Sequence, residues 1–185
     1  MKPLIIFANP NRQGHCSIIL KEVQKKFKKH ELLDLYKIKY DPVLKNEEYS
    51  ADGIKVISKQ IKEIQKKIKR ASLLIFIYPN WWGSMPAILQ GFFDRVLTRG
   101  FAYKFVGNFP VGLLKRKKAI VFTTSGSPNL ILKLKGNRAK KLIKKDILGF
   151  CGIKTKVYGI GSCKKLTERK EKKISKIVKK AFEKI

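Results

Sequence analysis

Ser72-Leu73-Leu74-Ile75-Phe76-Ile77-Tyr78, followed at once by Pro79-Asn80-Trp81-Trp82-Gly83, is the stretch that decides how this 185-residue chain is read. Its first seven residues form the most apolar segment of the sequence, and near-continuous apolarity predicts a strand covered on both faces, as in a parallel sheet. The run then stops abruptly at proline, asparagine and glycine. Downstream, Ser84 and Pro86 suit a helix N-cap and first-turn proline, and Leu89, Phe92, Phe93, Val96 and Leu97 recur at helical spacing. Upstream, Ile54, Ile57, Ile61, Ile64 and Ile68 step by three and four residues, a single helical stripe with lysines on the other face.

The same alternation continues outward in both directions. Residues 4–8 are an apolar run ending in Asn9-Pro10-Asn11-Arg12-Gln13-Gly14, after which Ile19, Leu20, Val23 and Phe27 mark a helix. A weaker strand is expected over residues 32–36, then a turn-rich connection through Asp41-Pro42 and Asp52-Gly53. Residues 119–122 form a fourth buried strand ending in Thr123-Thr124-Ser125-Gly126-Ser127-Pro128. A helix over 139–148, a fifth strand over 155–160 and a last helix with Ile174, Ile177, Val178, Ala181, Phe182 and Ile185 on its apolar face complete the set. Five strands alternating with five helices imply an α/β protein, a parallel sheet with helices on both faces. With no internal repeat, linker or second unit in view, residues 1–185 read as one domain.

Ligands of such folds sit at the carboxyl ends of the strands where the winding reverses. Three unusual loops, residues 9–17, 79–83 and 123–128, each follow a strand run directly and are expected to converge on one edge. In the first, a helix N-terminus and exposed backbone N–H groups suit a phosphate, with Arg12, Ser17 and His15 as side-chain donors. The alternative is an ordinary turn capped by Ser17. Neither a Walker A loop nor G-x-G-x-x-G is present. His15 and Cys16 lack a second His–Cys cluster, so no metal site is expected; a helix start can lower the thiol pKa of Cys16, but with no His–carboxylate partner pattern a nucleophilic cysteine is not the favoured reading. In the second loop, Trp81 and Trp82 can form a platform for an aromatic ligand, with Gly83 allowing close approach; the alternative is a core or dimer-interface role. In the third, Thr123, Thr124, Ser125 and Gly126 suit the polar edge of a heterocycle, or form a structural turn. Phosphate loop, aromatic platform and polar edge together describe a flavin mononucleotide pocket.

Composition bounds the rest. Lys and Arg number 43 against 13 Asp and Glu, a formal charge of +30, with 44% hydrophobic residues. That apolar content excludes a disordered basic tail, and no run of about 18 uncharged apolar residues exists to span a membrane. Residues 1–110 carry 20 basic and 9 acidic groups, and residues 111–185 carry 23 and 4, so the excess is general and heavier towards the C-terminus. It is mostly Lys on the polar faces of helical patterns, which argues for a solvated surface that captures anions and against a specific nucleic-acid binder. The apolar stretch behind Lys2 is too short for a secretory signal, and Cys16, Cys151 and Cys163 are odd in number and widely spaced, so a cytoplasmic setting is expected.

The segment Tyr78-Pro79-Asn80-Trp81-Trp82-Gly83-Ser84-Met85-Pro86-Ala87-Ile88-Leu89-Gln90-Gly91-Phe92-Phe93-Asp94-Arg95-Val96 resembles the signature of the flavodoxin-fold NAD(P)H quinone reductases. That group includes flavoprotein ancillary subunits of glutathione-gated potassium efflux systems. Arg99-Gly100-Phe101-Ala102-Tyr103 and Leu148-Gly149-Phe150-Cys151-Gly152-Ile153 resemble it too. The resemblance implies a five-stranded flavodoxin-like sandwich of order 2-1-3-4-5, bound FMN or alternatively FAD, and a homodimer with its sites at the subunit interface. It also implies hydride transfer from NADH or NADPH to quinone-like or nitroaromatic acceptors by a ping-pong scheme. By position, Asn11, Gly14, His15, Cys16 and Ser17, with Asn9 beside them, would hold the flavin phosphate. Pro79, Asn80, Trp81, Trp82 and Gly83 would border the ring, and Thr123, Thr124, Ser125 and Gly126 its pyrimidine side. Phe101 and Tyr103, donated across the dimer, would wall the acceptor cavity. Many relatives place a histidine where Asn9 stands, and the Tyr and His that follow the third loop in the animal enzymes are missing from Ser127-Pro128-Asn129-Leu130-Ile131-Leu132-Lys133, where Lys133 is the substitute on offer. The animal enzymes' long C-terminal extension is also missing, which favours FMN. The alternative functions are a regulatory flavoprotein subunit bound to a membrane ion transporter and, less favoured, a basic nucleic-acid binder.

Overall fold

A computed structural model describes residues 2–50, 53–54 and 56–183. Its centre is a five-stranded parallel sheet made of β1 (Leu4–Phe7), β2 (Glu31–Asp34), β3 (Leu73–Pro79), β4 (Lys118–Thr124) and β5 (Lys154–Ile160), in the order 2-1-3-4-5. Successive side chains of a strand point to opposite faces, and here both sets are apolar. Leu4, Ile6, Leu74, Phe76, Tyr78, Ala119 and Val121 pack on one side against α2 (Lys59–Arg70) and α3 (Ala87–Val96). Ile5, Phe7, Leu73, Ile75, Ile77, Ile120 and Phe122 pack on the other against α1 (His15–Lys26) and the C-terminal helix Glu168–Phe182. The unbroken apolar run of β3 is thus the middle of a three-layer sandwich.

The winding reverses between β1, which pairs with both β2 and β3, and the β4–β5 half. Phe7 pairs in register with Ile77, Tyr78 with Thr123 and Pro79 with Thr124, so the loops after β1, β3 and β4 leave adjacent strands at one edge.

Several boundaries differ from expectation for local reasons. α2 starts at Lys59 because the Ser58 side chain accepts the Ile61 N–H, leaving Ile54 in a short antiparallel pair of Gly53–Ile54 with Tyr49–Ser50. The strand expected over 32–36 ends at Asp34, and Phe27 is the C-cap of α1 rather than part of it. Ser84 caps nothing: its N–H and C=O are both bonded to Trp81, and α3 begins after Pro86. The helix expected over 139–148 is α5 (Arg138–Lys141) running into a π-helical segment, Leu142–Ile147. An extra short helix, α4 (Asn129–Leu134), precedes it, and the C-terminal helix is therefore α6. Ile185 and Asp52 lie outside the described residues.

Another unforeseen element is the ribbon of Tyr103–Val106 with Phe109–Gly112. The long β2–α2 connection is clamped to α3 by Arg95, which donates to the Asp41 carbonyl at 2.5 Å and to the Glu48 carboxylate at 2.5 Å, both charged groups being buried. Gly91 permits that approach, since a Cβ there would lie 2.1 Å from the Pro42 oxygen. Among the described residues no helix is long and apolar enough to cross a membrane.

Candidate functional site

The first loop folds around the Asn11 carbonyl, which accepts Asn9 Nδ2 at 3.0 Å and Ser17 Oγ at 2.9 Å, while Asn11 Oδ1 accepts the Gln13 N–H at 2.8 Å. The N-cap is Gly14, whose carbonyl takes the N–H groups of Ser17 and Ile18; Ser17 sits inside the helix and does not cap it. The N–H groups of Gly14, His15 and Cys16 find no acceptor among the described residues, as the geometry of a helix start requires. They form an anion-binding end.

The side chains of this loop are less available than the sequence suggests. Arg12 forms a two-pronged pair with Asp34 at the end of β2, Nη2 to Oδ1 at 3.0 Å and a closer Nη1–Oδ2 contact, and that hydrogen bonding raises its pKa. His15 is buried against the backbone of Lys165; burial lowers its pKa, so the ring is neutral at pH 7, and its Nε2 has no partner among the described residues. The expected low-pKa thiol is not found: Cys16 is buried, its Sγ lies 3.3 Å from Thr124 Oγ1, and burial pushes the thiol up to about 12. The helix end that would lower the pKa is outweighed by the loss of water around the sulfur.

The second loop is a tight turn. Trp81 and Ser84 exchange two backbone hydrogen bonds, at 3.1 and 2.9 Å, across Trp82 (φ 53°) and Gly83 (φ 78°). Two left-handed residues in succession are the signature of a type I′ turn, which glycine and asparagine accept readily and tryptophan does not. Left-handed backbone costs an L-residue roughly 1–2 kcal/mol, and Trp82 bears that cost with its side chain fully exposed while Trp81 is 43% exposed. A Cβ placed on Gly83 or Gly126 would meet nothing within 4 Å, so both glycines face open space.

Loops two and three are laced together by Asn80 N–H to the Thr124 carbonyl at 2.6 Å, and loop three is held to the end of β5 by Ser125 N–H to the Ile160 carbonyl at 2.9 Å. Three side-chain atoms here are buried without a partner among the described residues: Asn80 Oδ1, Thr123 Oγ1 and the Tyr78 hydroxyl. Burial raises the Tyr78 pKa, keeping it a neutral donor. Such orphans are costly in a finished interior; others among the described residues are the Tyr40 hydroxyl and Arg95 Nε, away from this edge. The residues of the three loops, 9–17, 79–83 and 123–126, are thus brought to one edge.

Phe101 and Tyr103 are not brought there. Phe101 is buried in the core, with the Lys69 ammonium 5.8 Å from its ring centroid. Tyr103 stacks edge-on against Phe150 at 4.9 Å and Phe105 at 5.9 Å. Phe150 precedes β5, and Leu114 before β4 bonds to Cys151, so this cluster lies at the amino-terminal edge of the sheet, opposite the three loops. Lys133 stands exposed on α4. Sequence reasoning missed Tyr78, whose hydroxyl was hidden inside an apolar run, and Asp34, whose partnership with Arg12 spans 22 residues.

A parallel sheet of order 2-1-3-4-5 with loops converging beside the winding reversal defines the flavodoxin-like class of α/β proteins. The family model described as a flavodoxin-like fold matches residues 1–183. The chain belongs to that family. It is 37% identical over 132 residues to an uncharacterized NAD(P)H oxidoreductase of Haemophilus influenzae, covering 69% of this chain and 65% of the relative. With the NAD(P)H dehydrogenase [quinone] 1 of Cavia porcellus it shares 34% identity over 154 residues, 69% of this chain and 56% of that one. The chain therefore spans somewhat more than half the length of these curated relatives. Among solved structures, the NAD(P)H:quinone oxidoreductase from Methanothermobacter marburgensis superposes with a TM-score of 0.87 at 26% identity, over 98% of this chain and 96% of the other.

Proposed function

We propose that the protein is a cytoplasmic, FMN-dependent NAD(P)H oxidoreductase, residues 1–185 acting as one domain, that passes a hydride to a quinone-like acceptor by a ping-pong scheme. The observation that carries this reading is the convergence of unpaired helix N–H groups, a strained exposed tryptophan turn and orphaned polar atoms at one edge of the sheet. The donor set fits a flavin nucleotide: the Gly14, His15 and Cys16 N–H groups suit the phosphate, and Thr123 Oγ1, Asn80 Oδ1 and the Gly126 N–H suit the pyrimidine edge. Trp81 and Trp82 would cover the ring, with Pro79 and Gly83 beside it. When bound, the flavin accepts and returns two electrons and a proton as a hydride equivalent.

The chain's own residues bind, orient and exclude water. Thr124 holds Cys16 and, through its carbonyl, Asn80, so loops one, two and three move as a unit. The neutral Tyr78 and Thr123 hydroxyls can turn to donate towards negative charge at the pyrimidine edge without a protonated side chain. In a homodimer with shared sites, Tyr103 of a second copy would wall this edge. Placing nicotinamide and acceptor in one cavity then makes their binding mutually exclusive.

Absorbance spectra of FMN-loaded, desalted protein before and after anaerobic NADH or NADPH test this. Retained bands near ~450 nm that bleach are expected; a colourless protein overturns the reading. Mixing two inactive variants, Trp82→Ala and Tyr103→Ala, is expected to restore up to about a quarter of the activity through hybrid dimers with one intact site. No recovery after unfolding and co-refolding would remove the shared site.

A further inference from the structure

Unlike α1, α2, α3, α5 and α6, helix α4 contains no buried residue. Leu130, Ile131 and Leu134 are exposed at 67%, 40% and 76%. At positions i, i+1 and i+4 they share one side of the turn. Water on three aliphatic side chains is unfavourable in proportion to their area.

Along the chain the charge on either side of them is of one sign. No acidic residue occurs between Asp94 and Asp146, and residues 126–145 hold seven Lys and Arg, among them Lys133, Lys135 and Arg138 on or just after α4. The patch is firmly mounted. Asn129 Nδ2 donates to the Gly159 carbonyl at 3.2 Å, Ser162 N–H to the Ser127 carbonyl at 3.0 Å, and Lys170 Nζ to the Gly161 carbonyl at 3.0 Å. The first two bonds fix the start of α4 to the end of β5, on the edge that carries the third loop, and the last ties α6 to the same end.

We propose that α4 docks this protein on an anionic lipid bilayer, Leu130, Ile131 and Leu134 entering the acyl boundary while the surrounding lysines meet headgroup phosphates. Charge complementarity selects this occupant. A second copy seated with α4 against α4 would press the same lysine-rich strip against itself, where like charges repel. A nucleic acid would satisfy the lysines but leave the aliphatic side chains unused, and residues 126–145 contain no aromatic side chain to stack on bases. A bilayer with acidic lipids takes both components. One consequence rests on the oxidoreductase reading: docking by α4 brings the mouth of the three-loop site to the membrane, so the acceptor class is a quinone dissolved in lipid.

The test is sedimentation of the protein with vesicles of phosphatidylcholine containing phosphatidylglycerol, and with phosphatidylcholine alone, at physiological salt. Binding to the acidic vesicles at least about tenfold tighter than to the neutral ones is expected. Leu130→Ser/Leu134→Ser, at positions exposed enough to leave folding intact, is expected to weaken binding to acidic vesicles by about tenfold or more at unchanged charge. Equal binding by this variant would reduce the attraction to the general charge of +30 and overturn the proposal. So would wild-type protein that stays in the supernatant, or a variant whose sedimentation coefficient in the absence of lipid shows that a contact between copies has been lost. FMN retention measured on the same samples separates the two ideas: flavin retained without vesicle binding removes only the docking, and vesicle binding without flavin removes only the oxidoreductase reading.

Discussion

The Arg95 cluster and the Trp81–Ser84 turn are both locally costly, and they differ in where the cost is offset. Arg95 is a buried charge, expensive to remove from water. Glu48, the Asp41 carbonyl and the Tyr40 ring 5.9 Å away surround it within the chain, and the Glu48 hydrogen bond and charge outweigh burial to raise the guanidinium pKa. Trp82 combines left-handed backbone with a fully exposed indole, and nothing among the described residues compensates it. The charge of Arg95 is offset within the chain, although its Nε and the Tyr40 hydroxyl stay unpartnered among the described residues, whereas the cost at Trp82 is left open, as strained backbone at binding sites often is. Arg95 holds the β2–α2 connection in place; Trp82 would recover its cost by covering a ring, as proposed above.

That contrast can be broken, and the largest expected effect is at Arg95. Arg95→Met leaves Glu48 buried without its cation and should cost about 3–5 kcal/mol of unfolding free energy in a urea titration. FMN retention by the molecules that remain folded should be unchanged. A loss below about 1 kcal/mol would mean that the ion pair is not what fixes the connection. Trp82→Gly should act in the opposite sense on the two readouts. Relief of the left-handed strain raises the melting temperature of the flavin-free protein, by the equivalent of about 1 kcal/mol, while FMN retention falls by about tenfold. Lower stability together with undiminished retention would reassign the tryptophan to packing.

Thr123→Val sharpens the same distinction on a smaller scale. Its hydroxyl is buried and unpartnered, so an isosteric methyl leaves the flavin-free protein equally or more stable, while FMN affinity drops by about fivefold for one lost hydrogen bond. Isothermal titration of the unliganded protein measures both numbers in one preparation when paired with calorimetric melting. The smallest effect belongs to Glu31, a surface counterpart of the buried Arg95 pair. Hydrogen bonds from Lys67 and then Lys2 hold its carboxyl at about 2. A depressed folded-state pKa contributes stability above the unfolded value, about 4.3, that is lost as pH falls through about 2. Both lysines are largely exposed, so Glu31→Gln should cost no more than about 1 kcal/mol at pH 7, a cost that shrinks as pH falls from the unfolded value and vanishes only below about 2. A pH-independent difference would show that the ion pairs are not its origin.

Much of the fold was legible because each strand needs only its own pattern to be recognised. β3 reads as a two-faced strand from residues 72–78 alone, and α2 from its isoleucine spacing, since a chain covered on both faces or on one stripe must carry that pattern in its sequence. The three loops were legible for the same reason: each follows a strand directly, and parallel strands deliver their loops to one edge. Boundaries were less legible. Ser84 looks like a cap until Trp81 takes both its backbone groups, and Ile54 extends a helical stripe until Ser58 starts the helix four residues later.

Within the site, the sequence named the loops but not the state of their side chains. Cys16 next to a helix start suggests an acidic thiol, and only the packing of β4 against α1 reveals that it is buried beside Thr124. Arg12 looks like a phosphate donor until Asp34, 22 residues away, is found holding it. Phe101 and Tyr103 share one short segment, yet one is core and the other stands at the edge opposite the tryptophans.

The strand order was implied only by the family resemblance, while the sequence by itself determined the class of fold, the three loops and the general positive charge. Those properties are sums over local patterns, which the chain carries wherever it goes. The tertiary structure alone decided which polar groups are spent and which are left open, that α4 presents its leucines outward, and that Tyr103 lies away from the tryptophan turn. Each depends on which distant segment arrives at a given distance. Hydrogen-bond partners and burial are set within a few ångströms in space, and residues that close can be far apart along the chain.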